Sequence, residues 1–124
     1  MTRTLDSSRE GVSAAPLPFS VLLREEPVDR GGMVWVARSV FTSHVGCGDD
    51  RDEALDNLAR SLELSIVAAG DLGLSTHDWY ERQQPERPEV VEAFRAAVAV
   101  GGSRPDQLAG ERLTMPAQVA RAVA

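Results

Sequence analysis

Five carboxylates crowd one short stretch of this 124-residue chain, Asp49, Asp50, Asp52, Glu53 and Asp56, with His44 and Cys47 just upstream. Two kinds of chemistry could use such residues. Acids that converge from separate elements can hold a pair of metal ions, which stabilise the attacking and leaving oxygens of a phosphodiester hydrolysis. A cysteine and a histidine within hydrogen-bond reach can act as nucleophile and base. The spacing argues against both. The acids are nearly consecutive at the start of a predicted helix, so their side chains diverge, and capping of free backbone N–H groups accounts for them. His44 and Cys47, three apart on a predicted strand, point to opposite faces. His77 stands beside another predicted helix cap, an ordinary structural place. No Ser/His/Asp order, glycine-rich phosphate loop or zinc spacing is present. Cys47 is the single cysteine, which rules out an intrachain disulfide and a cysteine zinc site. The residues therefore predict no enzyme, no metal site and no cofactor.

The elements around these acids are well signalled. Residues 19–26 are rich in β-branched, aromatic and aliphatic side chains and end in a turn cluster, residues 27–32. Residues 33–41 have the same preferences, and Gly31-Gly32 supplies the positive φ of a tight reversal, so an antiparallel hairpin is predicted. Residues 42–47 read as a third short strand or a bulged extension of the second. A helix follows. Asp50 and Glu53 have capping-box spacing, and Ala54, Leu55, Leu58, Leu62, Ile66 and Ala69 recur every three or four residues, with Asp52, Asp56, Arg60 and Glu63 off that stripe. Gly70 is the expected left-handed stop. The fold class is α+β: a small antiparallel sheet of about three strands packed on one long helix, with additional C-terminal helices.

These residues resemble the HicB-like antitoxin family. The likeness lies in the strand pair around residues 21–26 and 33–37, then in Gly48-Asp49-x-x-x-Glu53-Ala54-Leu55-x-x-Leu58. It covers about 50 residues, roughly 19–70. The resemblance implies a truncated ribonuclease-H-like core and a non-catalytic protein that masks a small basic toxin acting on RNA. Where the family often carries an Asp-Leu-Pro-Gly-Cys-like turn, this chain reads Ser39-Val40-Phe41-Thr42-Ser43-His44. The implied partner-binding residues are Arg38, Ser39, Thr42, Ser43 and His44 in that loop, with Asp52, Asp56 and Glu63 on the acidic helix face. The alternative is a homo-oligomeric scaffold or regulator of the same fold without a toxin.

Composition bounds the remainder. All 13 basic residues are arginine, which reads as coding bias, and the net charge of −6 speaks against a phosphate-binding surface. Residues 19–70 carry nine acids against five arginines, a surface suited to a basic protein. No apolar run approaches the roughly 18 residues needed to cross a bilayer, and no charged-then-apolar leader opens the chain, so a cytoplasmic protein is expected. Residues 1–18 read as a disordered arm, residues 19–84 as the HicB-like domain and residues 85–124 as a helical extension. Within these, Ser75 and Asp78 cap a short helix anchored by Trp79 and Tyr80, Pro88 opens another that ends before Gly101-Gly102, residues 112–115 suggest a short strand, and an Ala-rich helix runs from Pro116. Two such helices could form a DNA-binding unit, although Glu89, Glu92 and Arg95 leave no basic face. A three-stranded sheet on one helix leaves an edge and a face bare, so a homodimer or higher oligomer is expected, with Trp35, Val40 and Phe41 as contacts.

Overall fold

A computed structural model describes residues 18–122, so the expected N-terminal arm lies, apart from Pro18, outside the described residues. The elements in order are β1 (Phe19–Pro27), β2 (Met33–Ser39), β3 (His44–Gly48), α1 (Arg51–Asp71), α2 (Thr76–Glu81), α3 (Pro88–Ala99), β4 (Ser103–Ala109) and β5 (Thr114–Arg121). The strands form one sheet in the order β3-β2-β1-β5-β4. Strand β5 runs parallel to β1, and every other neighbouring pair is antiparallel.

This corrects the expectation of about three antiparallel strands on one helix with further C-terminal helices. The sheet is mixed and five-stranded, and the described chain has three helices. The difference lies in residues 103–121. They form a hairpin whose second strand enters beside β1, where the sequence pattern predicted a helix from Pro116. Alanine favours helix in isolation, but Met115, Ala117 and Val119 alternate onto the α1 face of the sheet while Ala120 turns to the other. Pairing on both sides outweighs a propensity worth tenths of a kcal/mol per residue. Residues 88–122 hold one helix and a β-hairpin, so the pair of helices considered for DNA binding in this segment is not formed.

The β1–β2 hairpin turns through Gly31 and Gly32, at φ 87° and 90°. Its α1 face presents Phe19, Val21, Leu23 and Ala37 to Ala54, Leu58, Leu62 and Ile66. Asp50 caps α1 by accepting from the Glu53 amide at 2.8 Å, and the Glu53 carboxylate reaches back to the Asp49 amide at 2.6 Å, one residue beyond the Asp50 amide that a capping box uses. At the other end the helix passes through Gly70 to Asp71. The left-handed residue is Gly73, at φ 89°, so the expected stop at Gly70 falls three residues early.

Helix α1 starts almost at once after β3 and folds back along it, which only glycine permits. A Cβ at Gly46 would enter the α1 backbone at Ala54 and Leu58, and one at Gly48 would meet Ala54 N at 2.7 Å. The opposite face of the sheet is covered by α3, whose Val90, Phe94 and Ala97 pack on Leu22, Val40 and Ala120. The chain crosses between the faces beside the β2–β3 turn. Glu86 N donates to the Val40 carbonyl at 2.7 Å, and Ser43 Oγ donates to the Gln84 carbonyl at 2.7 Å.

Leu58→Ala should cost about 2–5 kcal/mol in urea melts, whereas Arg60→Ala, on the exposed side of the same helix, should stay within about 0.5 kcal/mol. Equal effects would place α1 on the sheet by a different face. A second pair separates close approach from helix propensity. Gly46→Ala should unfold or strongly destabilise the protein, while Gly70→Ala, with open space around its Cβ, should stabilise it by up to about 1 kcal/mol.

Candidate partner-binding surface

The first turn and a half of α1 and the two residues before it carry Asp49, Asp50, Asp52, Glu53 and Asp56, all exposed. Asp50 and Glu53 are committed to the helix cap. Asp52 and Asp56 are exposed and form no side-chain hydrogen bond or ion pair among the described residues. Beside them lies Trp35, half-buried on β2, with the Arg51 guanidinium 5.4 Å from its ring centre, within cation–π range. Trp35 pairs with Glu25 on β1 and Gly48 on β3, which sets it at the end of the sheet where the hairpin turns. Exposed acids at the start of a helix are suited to a basic protein surface. Among the described residues no three or more His, Cys, Asp and Glu side chains are grouped to hold a metal ion, and no helix is long and apolar enough to cross a membrane.

Glu63 is not part of that exposed face. It is 7% exposed, and its carboxylate accepts from three successive amides of the β4–β5 turn, Glu111 at 2.9 Å, Arg112 at 2.7 Å and Leu113 at 2.6 Å. The Arg112 amide is the largest influence, followed by burial, which opposes it, then by the Leu113 and Glu111 amides. Together they hold the carboxyl below its ordinary value. Gly110 makes room, since a Cβ there would meet the carboxylate at 2.5 Å.

The loop expected to touch a partner is occupied within the chain. Arg38 grips both oxygens of Glu26, at 2.7 and 2.9 Å, and reaches Glu86 at 3.2 Å. Those bonds, against burial and with help from Arg24, bring the Glu26 carboxyl down to about 2 and raise the Arg38 guanidinium above its ordinary value. Ser39 and Thr42 are buried and bonded to each other at 2.6 Å. Ser43, at φ 61°, holds Gln84. His44 Nδ1 donates to the Thr42 carbonyl at 2.9 Å beside Trp79, and burial pushes its imidazole below the ordinary value. Of the three residues expected at a subunit contact, Val40 is fully buried under α3 and Phe41 stacks edge-on against Phe94 at 6.5 Å. Trp35 and Phe41 both stay partly exposed. His44 and Cys47 lie on opposite faces, as their spacing predicts.

The two edges of the sheet differ. On β4, Gly110 N donates to Leu113 O and Arg121 N to Gly102 O, so residues 103, 105, 107 and 109 turn their polar groups outward. Pro105 has no N–H, and the Gln107 amide is taken by Asp106 Oδ1 at 2.8 Å. That edge is interrupted in its middle. On β3, Asn57 Nδ2 donates to the Cys47 carbonyl at 2.6 Å, so Cys47 and, by the antiparallel alternation, Val45 face outward. The Asp49 amide is taken by Glu53. Among the described residues nothing takes the Val45 N–H and C=O or the Cys47 N–H, so a window remains there. Sequence reasoning missed both this window and the Glu63 contact. The Pro105 position was the only local sign that β4 could be an edge.

Comparison with protein-family models, with curated proteins and with solved structures gives no match for this chain.

Because Glu63 is held below the ordinary carboxylate value of 4.5, its contribution to stability is fully present above that value and is lost as pH falls through the lowered one. Glu63→Gln keeps the shape but replaces one acceptor oxygen by an N–H donor facing the turn amides. Urea midpoints should therefore drop at pH 7, and the gap to wild type should close as pH falls below about 4.5. A gap that is independent of pH would mean that the carboxylate charge contributes nothing to the turn.

Proposed function

We propose that the chain is a non-catalytic, antitoxin-type binding protein that occludes a small basic protein acting on RNA. The observation that carries this reading is the exposed pair Asp52 and Asp56 on the acidic start of α1, which the described residues leave without an ion-pair partner, together with the half-buried Trp35 under Arg51. Exposed carboxylates attract a basic partner and speed its encounter, and the aromatic offers an anchor that is desolvated on docking. The net charge of −6 and the resemblance over about residues 19–70 point the same way. Occlusion needs no cofactor and no chemistry from this chain, and a cytoplasmic location goes with it. The contact on this reading is made by Trp35, Asp52 and Asp56, since Arg38, Ser39, Thr42 and Glu63 serve internal contacts. A second reading, a homo-oligomeric scaffold or regulator without a toxin, is favoured by the open window on β3.

Purification of the tagged protein from its native host, with mass spectrometry of what accompanies it, tests the first reading. A small basic protein should be recovered whose RNA cleavage stops on reassociation. Asp52→Arg and Asp56→Arg together should slow association roughly tenfold at low salt, with the difference shrinking as salt screens the charges, and Trp35→Ala should speed dissociation. Recovery of no basic protein, or an affinity indifferent to salt and to all three residues, would overturn it.

A further inference from the structure

We propose that His44 is a proton-operated latch: the neutral imidazole holds α2, and with it the linker that crosses the β2–β3 turn, and the imidazolium lets them go. His44 opens β3 and, like Gly46 two residues on, turns to the α1 face of the sheet. Its ring lies 5.7 Å from that of Trp79, tilted by 48°. Trp79 is the buried residue of α2, 3% exposed. It anchors that helix through its indole N–H, which donates to Ser65 Oγ on α1 at 2.8 Å, and through an edge contact with Phe19 at 6.2 Å. A helix of six residues does not hold itself, so whatever dislodges Trp79 frees α2. The turn beside the ring is strained. Ser43 sits at φ 61°, the left-handed region that a residue with a Cβ seldom occupies. It is kept there by its amide on the Ser39 carbonyl at 2.9 Å, by its hydroxyl on the Gln84 carbonyl at 2.7 Å, and by the neighbouring His44 Nδ1 on the Thr42 carbonyl at 2.9 Å. Ring, turn and linker therefore share one set of contacts.

That set has no place for a charge on the ring. Nδ1 faces a carbonyl oxygen and so carries the hydrogen of the neutral form, and an added proton goes to Nε2. Among the described residues no carboxylate pairs with the ring and no acceptor receives Nε2. The groups gathered about it are uncharged. They are the Ser39 and Thr42 hydroxyls of β2 and its turn, bonded to each other, the indole of Trp79 with the Tyr80 phenol beside it from α2, and the Ser65 hydroxyl from α1. The charged pair of α2, His77 and Glu81, closes on itself at 3.3 Å with both side chains more than half exposed. An imidazolium in this setting gains more from water than from its neighbours, so the ring leaves Trp79 for solvent. Burial accordingly holds the packed imidazole below its ordinary 6.5, against the opposing effect of the Thr42 carbonyl. A released ring, at the ordinary value, takes a proton more readily than the packed one. The latch is therefore fully closed above 6.5 and loosens as pH falls below it. The device is separate from the proposed toxin contact, since Trp35, Asp52 and Asp56 take no part in it.

The chain has two histidines, so in a His77→Gln background proton NMR follows the His44 ring alone, and it should titrate below 6.5. Amide hydrogen exchange of the full chain reads the release. The amides of Trp79 and Glu86, which bond the Ser75 and Val40 carbonyls, report on α2 and on the linker, and that of Leu58 reports on α1. Comparison at each pH with His44→Gln, which takes no proton, cancels the intrinsic pH dependence of exchange. The ratio of wild-type to variant rates at Trp79 and Glu86 should rise at least about threefold between about pH 7.5 and about pH 5.5, while the ratio at Leu58 stays constant. If His44→Gln does not fold, the rates of Trp79 and Glu86 relative to Leu58 within the wild-type chain should rise by the same factor. With Trp35 replaced by Phe, Trp79 is the one tryptophan left, and its emission should shift to the red over the same pH range. A His44 ring that titrates at or above 6.5, as a cation–π hold on Trp79 would produce, or exchange at Trp79 and Glu86 that follows Leu58 at every pH, would overturn the proposal.

Discussion

The carboxylate of Glu63 ties together parts of the chain that share no local signal. It sits in the middle of α1 and accepts from three consecutive amides that lie 48, 49 and 50 residues further on. A tight turn leaves its N–H groups pointing inward with nothing to receive them, and a buried carboxylate without donors is costly, so each solves the other's deficit. The consequence reaches past the turn. With residues 111–113 held on the helix, β5 lies beside β1, and the sheet gains its central parallel pair. Without it the hairpin of β4 and β5 would rest on strand pairing and on apolar contacts such as Leu108, Met115 and Val119 alone.

A second constraint is the narrow gap between β3 and α1. Gly46 and Gly48 let the helix backbone lie against the strand, and the same closeness puts Asn57 in reach of the Cys47 carbonyl. The strand edge and the acidic helix start therefore form one continuous margin. At the other end of β3 the linker between α2 and α3 passes over the β2–β3 turn, and Arg38, Ser43 and Val40 hold it there. Polar residues that would look free on a loop are used to carry the chain from one face of the sheet to the other.

The same protein thus manages its exposed features in two ways. The β4 edge is interrupted by a proline and by a side chain that returns to its own backbone, whereas β3 is followed by the occupied Asp49 amide, shared at Cys47 and, among the described residues, open at Val45. On the helix, two acids serve the cap and two serve nothing within the described chain. Features that the fold leaves unused are where contact with other molecules is to be sought, and both lie at the β3 and α1 margin.

What the sequence by itself determined was local. The glycine pair of the β1–β2 turn, the Asp50 and Ser75 caps, Pro88 at the start of α3 and the apolar stripe of α1 all act within a few residues, so their geometry can be read from spacing. Asp52 and Asp56 stand exposed for the same reason, off the stripe of a helix whose phase was legible. Tertiary structure alone decided the rest. Residues 114–121 are a strand because β1 and β4 receive them on both sides, a gain that helix propensity cannot match and no local pattern announces. Glu63, by type and phase an exposed acid, is buried because donors arrive from the far end of the chain. In the loop at residues 39–44, Ser39, Val40 and Thr42 are buried, and a distant linker crosses it. In each case the partner is tens of residues away, and spacing within a segment carries no information about which segment will lie against it.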